Sequence, residues 1–297
     1  MSYGRNPPLR RFDYFAPHSL SEALAAFRDN GEGGRALAGG TDIVVQMKEG
    51  GARFPMPPYL VSLRHVPELR GIEANGGLRL GAMATMTDIA TSEPVRSHYR
   101  ALADGAEIVG SIQTMNMATV GGNACNAAPS ADTAAPLLVY GATAVIAGPG
   151  GERELPIDEL WQGPGRTALQ PGELLKELRL PQPPKSTGGV YVRHTPRKQM
   201  DIAVVGVAVA LTLDGDRIER ARIGLAAVAP TPIRAPGAEA ALEGNATSDS
   251  LFAEAAEMAA SEATPISDVR GSAEFRRHIV RVMTERMLSL AAERAGQ

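Results

Sequence analysis

The chain has one cysteine in 297 residues, Cys125. A disulfide framework is therefore excluded. So is an iron–sulfur cluster held by this chain alone, which needs about four cysteines. No basic tract with interleaved aromatics occurs, and the 30 basic and 33 acidic residues leave a net charge of −3. Nucleic-acid binding has no support in such a balance. No apolar run is long enough to cross a bilayer. The first eight residues, Met1-Ser2-Tyr3-Gly4-Arg5-Asn6-Pro7-Pro8, lack the apolar core of a signal peptide. The expectation is a soluble cytoplasmic protein. There is no G-x-G-x-x-G, so a Rossmann nucleotide site is not indicated. No internal repeat and no low-complexity tract is present.

What is present is glycine in two clusters, each closed by small polar residues: Ala38-Gly39-Gly40-Thr41-Asp42 and Ala118-Thr119-Val120-Gly121-Gly122-Asn123. Each reads as a strand turning into a loop of bare backbone. Glycine tolerates positive φ, so its amides can converge on an anion. Two such loops suit a diphosphate gripped from both sides. The plain alternative for the first is a tight turn with Thr41 or Asp42 as an ordinary N-cap. For the second it is an Asn-rich turn whose amides satisfy one another. One cluster alone favours the plain reading; two in one chain shift the balance.

The hydrophobic content of 44% is enough for two or three subdomain cores. Residues 11–15 read as a strand, and Ser19-Leu20-Ser21-Glu22 as a capping box ahead of a helix over 23–29. A strand over 35–38 leads into the first cluster, a helix over 43–48 follows it, and a strand covers 59–63. Further on, a strand is expected over 78–82, with Thr87 capping a helix that starts at Asp88. A second helix is expected over 95–109, then a helix over 131–140 and a β run over 142–147. In 174–180, Leu174, Leu178 and Leu180 share one face and Glu177 and Arg179 the other, with imperfect alternation. Pro181-Gln182-Pro183-Pro184-Lys185-Ser186 reads as a linker. Beyond it, 202–213 and 217–228 form a hairpin around Asp214-Gly215-Asp216. Helices over 247–261 and 272–294 complete the chain.

Taken together, the motifs resemble the FAD-binding medium subunit of the molybdenum hydroxylases, the group of xanthine dehydrogenase and aerobic carbon monoxide dehydrogenase. The carriers are Phe12-x-Tyr14-x-x-Pro17-x-Ser19-Leu20-x-Glu22-Ala23, the run 38–42, Gln113-x-x-Asn116-x-Ala118-Thr119-Val120-Gly121-Gly122-Asn123, and Ser130-x-Asp132. The resemblance covers essentially the whole chain. It implies an α+β fold: a two-subdomain FAD-binding unit of the vanillyl-alcohol-oxidase type (residues 1–64 and 65–180), then a C-terminal α+β subdomain with an antiparallel sheet (187–297).

The resemblance also implies noncovalent FAD. It places Leu37, Ala38, Gly39, Gly40, Thr41 and Asp42 on one side of the cofactor, and Ala118, Thr119, Gly121, Gly122 and Asn123 on the other. Asp132 falls at a ribose- or flavin-supporting carboxylate. Leu175 and Arg193 match positions near the flavin or adenine. Val109 stands where eukaryotic xanthine dehydrogenases have an aromatic stacked on the flavin, so the chain departs from that pattern.

Partners are implied as well. A small subunit carries 2Fe–2S clusters, a large subunit carries the molybdenum cofactor, and the whole is a heterotrimer, often doubled. No catalytic side chain and no metal ligand is expected in this chain. Cys125 reads as a buried filler and Trp161 as a loop residue anchoring packing. His194 is the one histidine placed near the cofactor, and Arg193, Arg197 and Lys198 are read as a small basic patch. Two rival readings stand beside this one: a stand-alone flavin oxidoreductase of the same broad fold, and a flavin-free scaffolding subunit.

Overall fold

The structure, a computed structural model, describes residues 11–50 and 54–296. The N-terminal stretch 1–8 weighed as a signal peptide lies outside them. Among the described residues no helix is long and apolar enough to cross a membrane.

The chain opens with β1 (Asp13–Phe15), α1 (Leu20–Asp29), β2 (Arg35–Leu37), α2 (Ile43–Glu49) and β3 (Tyr59–Ser62). The three strands form a parallel sheet in the order β1-β3-β2. Ser19 caps α1 by accepting from Glu22 N at 3.1 Å. The Glu22 carboxylate goes to His18 N at 2.8 Å, not to the Ser19 amide, so half of the expected capping box forms. Val61, Leu63, Met83 and Leu174 build this sheet's core with Tyr59.

Next come β4 (Ile72–Ala74), β5 (Gly77–Gly81), α3 (Met86–Thr91), α4 (Glu93–His98), α5 (Arg100–Glu107), α6 (Ile112–Met115), α7 (Val120–Asn126) and α8 (Ala134–Val139). They are followed by β6 (Thr143–Gly148), β7 (Gly151–Pro156), α9 (Ile157–Leu160), β8 (Trp161–Gly163), β9 (Arg166–Thr167) and β10 (Leu174–Pro181). An antiparallel sheet runs β4-β5-β10-β6-β7.

Three expectations fail in this region. Thr85, not Thr87, caps α3, in a full box with Asp88; Thr87 lies inside the helix and meets Asn116 Oδ1 at 2.7 Å. The single helix expected over 95–109 is broken at Tyr99, whose buried ring sends its hydroxyl to Pro181 O at 3.1 Å. The imperfect alternation of β10 also has a cause. A register shift lies between Leu175 and Glu177, so Leu174 and Leu175 are both buried. A bulge re-aims side chains in this way. Glu177, expected on the polar face, is buried too. Burial pushes its carboxyl up, yet Arg79 (2.6 Å) and Arg179 (2.7 Å) hold it below the usual range.

The last part contains β11 (Thr187–His194), β12 (Val205–Asp214), β13 (Arg217–Ala226), β14 (Ile233–Arg234), α10 (Pro236–Leu242), α11 (Asp249–Glu262) and α12 (Ala273–Ala295). Its sheet is antiparallel, β11-β12-β13-β14. Both faces of β12 are covered, which is why 202–213 reads as one apolar run. Val207, Val209 and Leu211 join the core under α11 and α12. Ala208 and Ala210 face the other way, into the core shared with α5 and α8. Small residues on that side let α8 come close; a Cβ on Gly224 would stand 2.7 Å from Ala135 O. The fold is thus α+β with a C-terminal antiparallel sheet.

Candidate functional site

The first glycine cluster lies between β2 and α2. Gly40 has φ +78°, which glycine adopts without strain. A Cβ on Gly39 would stand 1.8 Å from Met117 O, so the two clusters touch backbone to backbone and only glycine fits. The amides of Gly39, Gly40, Thr41 and Asp42 donate to no acceptor among the described residues. Four adjacent free donors form a surface that an anionic oxygen can satisfy.

The second cluster is built differently from expectation. It does not follow a strand; its glycines sit in the first turn of α7, capped by Thr119, which accepts from Gly122 N at 3.1 Å. Val120 N and Gly121 N are spent on Ala84 O and Ala82 O, both at 2.9 Å. A Cβ on Gly121 would meet Ala82 at 2.6 Å, so glycine serves close packing of α7. The grip from two bare loops is therefore one-sided. The second cluster offers shape and side chains. Thr133 donates to Asn123 Oδ1 at 2.6 Å, which leaves the Asn123 amide group as donor. Asn126 joins the clusters, donating to Asp42 Oδ1 at 3.2 Å and accepting from Gln46 at 3.1 Å. Burial raises the Asp42 carboxyl pKa, partly offset by Thr41.

These residues wall a cavity of about 690 Å³, within the range of small-molecule and cofactor sites. Of the residues expected at the cofactor, Ala38 through Asp42, Val109, Ala118, Thr119, Gly121, Gly122, Asn123, Asp132, Leu175 and Arg193 all line it. Leu37 does not: its Cδ1 lies 3.3 Å from where a Cβ on Gly40 would be, behind the loop.

One buried charge pair marks the wall. Asp132 and Arg193 side chains are 9% and 5% exposed and meet at 2.5 Å. Tyr191 donates to the other Asp132 oxygen at 2.9 Å. Burial pushes the Asp132 carboxyl up to about 6, against the lowering pull of Arg193 and Tyr191. Burial likewise holds the Tyr191 hydroxyl well above its usual range. Arg193 Nη2 is buried and has no protein partner among the described residues. An unsatisfied buried guanidinium nitrogen is costly.

Other expectations need correcting. His194 does not line the cavity; its ring packs edge-on to Phe275 at 5.7 Å. Arg193 and Arg197 form no patch, since Arg193 is buried and Arg197 is exposed and bonded to Asp201. Cys125 lines the cavity half-buried, and burial pushes its thiol up to about 12, so it stays neutral. Trp161 opens a short strand and is not in a loop; it does anchor packing, donating to Ala124 O at 3.0 Å. The sequence reading missed Gln46, Asn126, the turn 170–173, Asp201 and Ile202 as wall residues. The amide-rich stretch was a signal for Asn126; the others carry none, because only the fold brings them here.

Comparison with known proteins places the chain in a family. Residues 10–183 match the family described as FAD binding domain in molybdopterin dehydrogenase, and residues 190–291 match the CO dehydrogenase flavoprotein C-terminal domain. The xanthine dehydrogenase FAD-binding subunit of Escherichia coli O157:H7 is 33% identical, over 96% of this chain and 98% of its own length. The carbon monoxide dehydrogenase medium chain of Hydrogenophaga pseudoflava is 34% identical, over 98% and 99%. Among solved structures, carbon monoxide dehydrogenase from that organism superposes with a TM-score of 0.91 at 34% identity, covering 96% of this chain and 98% of that one. Quinoline 2-oxidoreductase from Pseudomonas putida 86 gives 0.90 at 31%, covering 97% and 99%. With an FAD-binding match over most of the cavity wall and a flavoprotein C-terminal match over Arg193, Asp201, Ile202 and the last sheet, this chain belongs to the FAD-binding subunits of the molybdopterin dehydrogenases, an oxidoreductase component.

Proposed function

We propose that the chain is the electron-transfer subunit of a cytoplasmic molybdenum hydroxylase. It takes electrons from 2Fe–2S clusters of a small partner subunit and delivers them to an external acceptor such as NAD, a quinone or oxygen. The large partner subunit holds the molybdenum cofactor and oxidises the substrate. The assembly is a heterotrimer, which can be doubled. The relatives are named as subunits or medium chains of larger dehydrogenases, which supports partner dependence. In this reading, residues 1–64 and 65–180 are the two halves of the FAD unit and 187–297 is the C-terminal subdomain.

The observation that carries the proposal is a donor set left open on the cavity wall: the Gly39–Asp42 amides. It fits a ligand with a diphosphate. Bound FAD supplies the two-electron store between one-electron donors and the acceptor. The protein binds and orients it. Gly39, Gly40, Thr41 and Asp42 would hold the diphosphate through their backbone N–H groups. Thr119 and Asn123 add side-chain donors from the opposite side. The buried Arg193–Asp132 pair would hold the wall behind the cofactor in place. Val109 and Leu175 exclude water with apolar surface. No side chain acts as acid or base on the organic substrate.

The test is an absorbance spectrum of the purified chain before and after acid precipitation. A flavin spectrum that moves into the supernatant is expected. A yellow pellet would turn the reading toward a covalent, stand-alone oxidase. A chain that stays colourless after FAD is added would overturn the proposal.

A further inference from the structure

Arg276 lies in the first turn of α12, on the far side of the C-terminal sheet, and its side chain is 4% exposed. One terminal nitrogen, Nη1, donates to Val204 O at 2.7 Å and Ala227 O at 3.0 Å. The other, Nη2, donates to Asp268 Oδ1 at 2.7 Å. Its Nε has no partner among the described residues, so these three oxygens set the guanidinium's position.

Both carbonyls lead to the cavity. Val204 follows the wall residues Asp201 and Ile202 by two positions. Ala227 has φ +64°, a left-handed conformation that strains a residue with a Cβ. Its amide donates to Pro129 O at 2.7 Å, next to the wall residues Ser130, Ala131 and Asp132. Asp132 in turn holds Arg193. Without the clamp on its carbonyl, the Ala227 turn is free to relax to an unstrained conformation and to carry its bond to Pro129 with it.

The geometry points to Arg276 as a positioning residue for the flavin cavity, acting through the strained Ala227 turn on the segment that carries Asp132. This rests on the FAD reading above. A lysine at 276 keeps the charge but lacks the planar fork that reaches two carbonyls and a carboxylate together. Glycine at 227 adopts positive φ without a clamp. The two substitutions are therefore expected to compensate.

The experiment uses the full chain freed of cofactor and titrates it with FAD. Arg276→Lys is expected to weaken FAD roughly tenfold, Ala227→Gly to change it less than about twofold, and the double variant to regain most of the loss. Arg276→Lys with wild-type affinity, or a double variant as weak as Arg276→Lys, would overturn the inference. A second readout needs no FAD. Amide exchange in the cofactor-free chain is expected to speed up at 129–132 and 227 in Arg276→Lys, to return in the double variant, and to stay unchanged in the remote β6–β7 hairpin. Uniformly faster exchange would mean a merely structural role and would also overturn it. Asp268→Asn, which spares both carbonyl bonds, covers the case in which Arg276→Lys does not fold; a loss of FAD affinity of about tenfold there would count against the relay. Should the wild-type chain take no FAD, the proposed function fails, and the exchange data still decide the relay.

Discussion

Asp132 carries a charge that its surroundings only half support. Its carboxyl sits at about 6 in the folded chain against an ordinary 3.8. Between those values the folded state keeps a proton that the unfolded chain has lost. The stability this group contributes is therefore present below the ordinary value and is lost as pH rises through about 6. Arg193 opposes that loss, so removing it makes the ionised form costlier still. Arg193→Met is expected to destabilise the cofactor-free chain by about 3 kcal/mol near pH 8, because a lone buried carboxylate remains. Near pH 5 the deficit is expected to shrink as Asp132 takes up a proton. Urea unfolding at the two pH values checks this; a deficit independent of pH would show that Asp132 does not titrate there. The same residue pair was legible as two separate positions in the sequence, 61 residues apart. That they pair, and that Arg193 keeps one nitrogen free, depends on β11 reaching the cavity.

Among elements, the contact between the β2–α2 loop and the turn before α7 is the tightest constraint on the site. Gly39→Ala would drive a methyl group into Met117 O, with backbone on both sides and nothing flexible to yield. A cost of about 1–3 kcal/mol is expected, together with loss of FAD uptake, read by thermal melting and flavin titration. A variant that melts and binds like wild type would mean the loops separate freely. Capping gives a milder test: Thr85→Ala removes one half of the α3 box and is expected to cost about 1 kcal/mol.

These elements also show what local sequence carries. Ser19 caps the helix that its spacing announces, while Ser248 and Ser272 cap helices whose starts are expected at 247 and 272 with no cap named. Thr85 and Thr87 compete as caps on the same few letters, and the Asp88 partner three residues after Thr85 decides between them. The break at Tyr99 was not legible, because it depends on a hydrogen bond to Pro181 across the chain. Nor was the bulge in β10, which appeared only as a flaw in alternation.

On the scale of the whole molecule, the C-terminal part is fastened to the centre by charge as well as by packing. Arg294, in the last turn of α12, donates to Asp104 Oδ2 at 2.8 Å and Gly189 O at 2.7 Å. Arg100 takes the other Asp104 oxygen at 2.7 Å. Arg294→Met is expected to destabilise the chain by about 1–2 kcal/mol, measured by urea unfolding, and to leave FAD affinity unchanged while the Asp132–Arg193 pair stays closed. A parallel fall in affinity would show that the α12 end reaches the site.

The order in which the cavity's walls are synthesised has a consequence for maturation. Its lining reaches from Phe27 to Ile202, so at least 175 residues after its first wall residue must leave the ribosome before the last one exists. Closing such distant contacts is slow compared with forming single helices. Flavin loading is therefore a late event in the folding of this chain, after the C-terminal sheet has brought its own residues to the cavity.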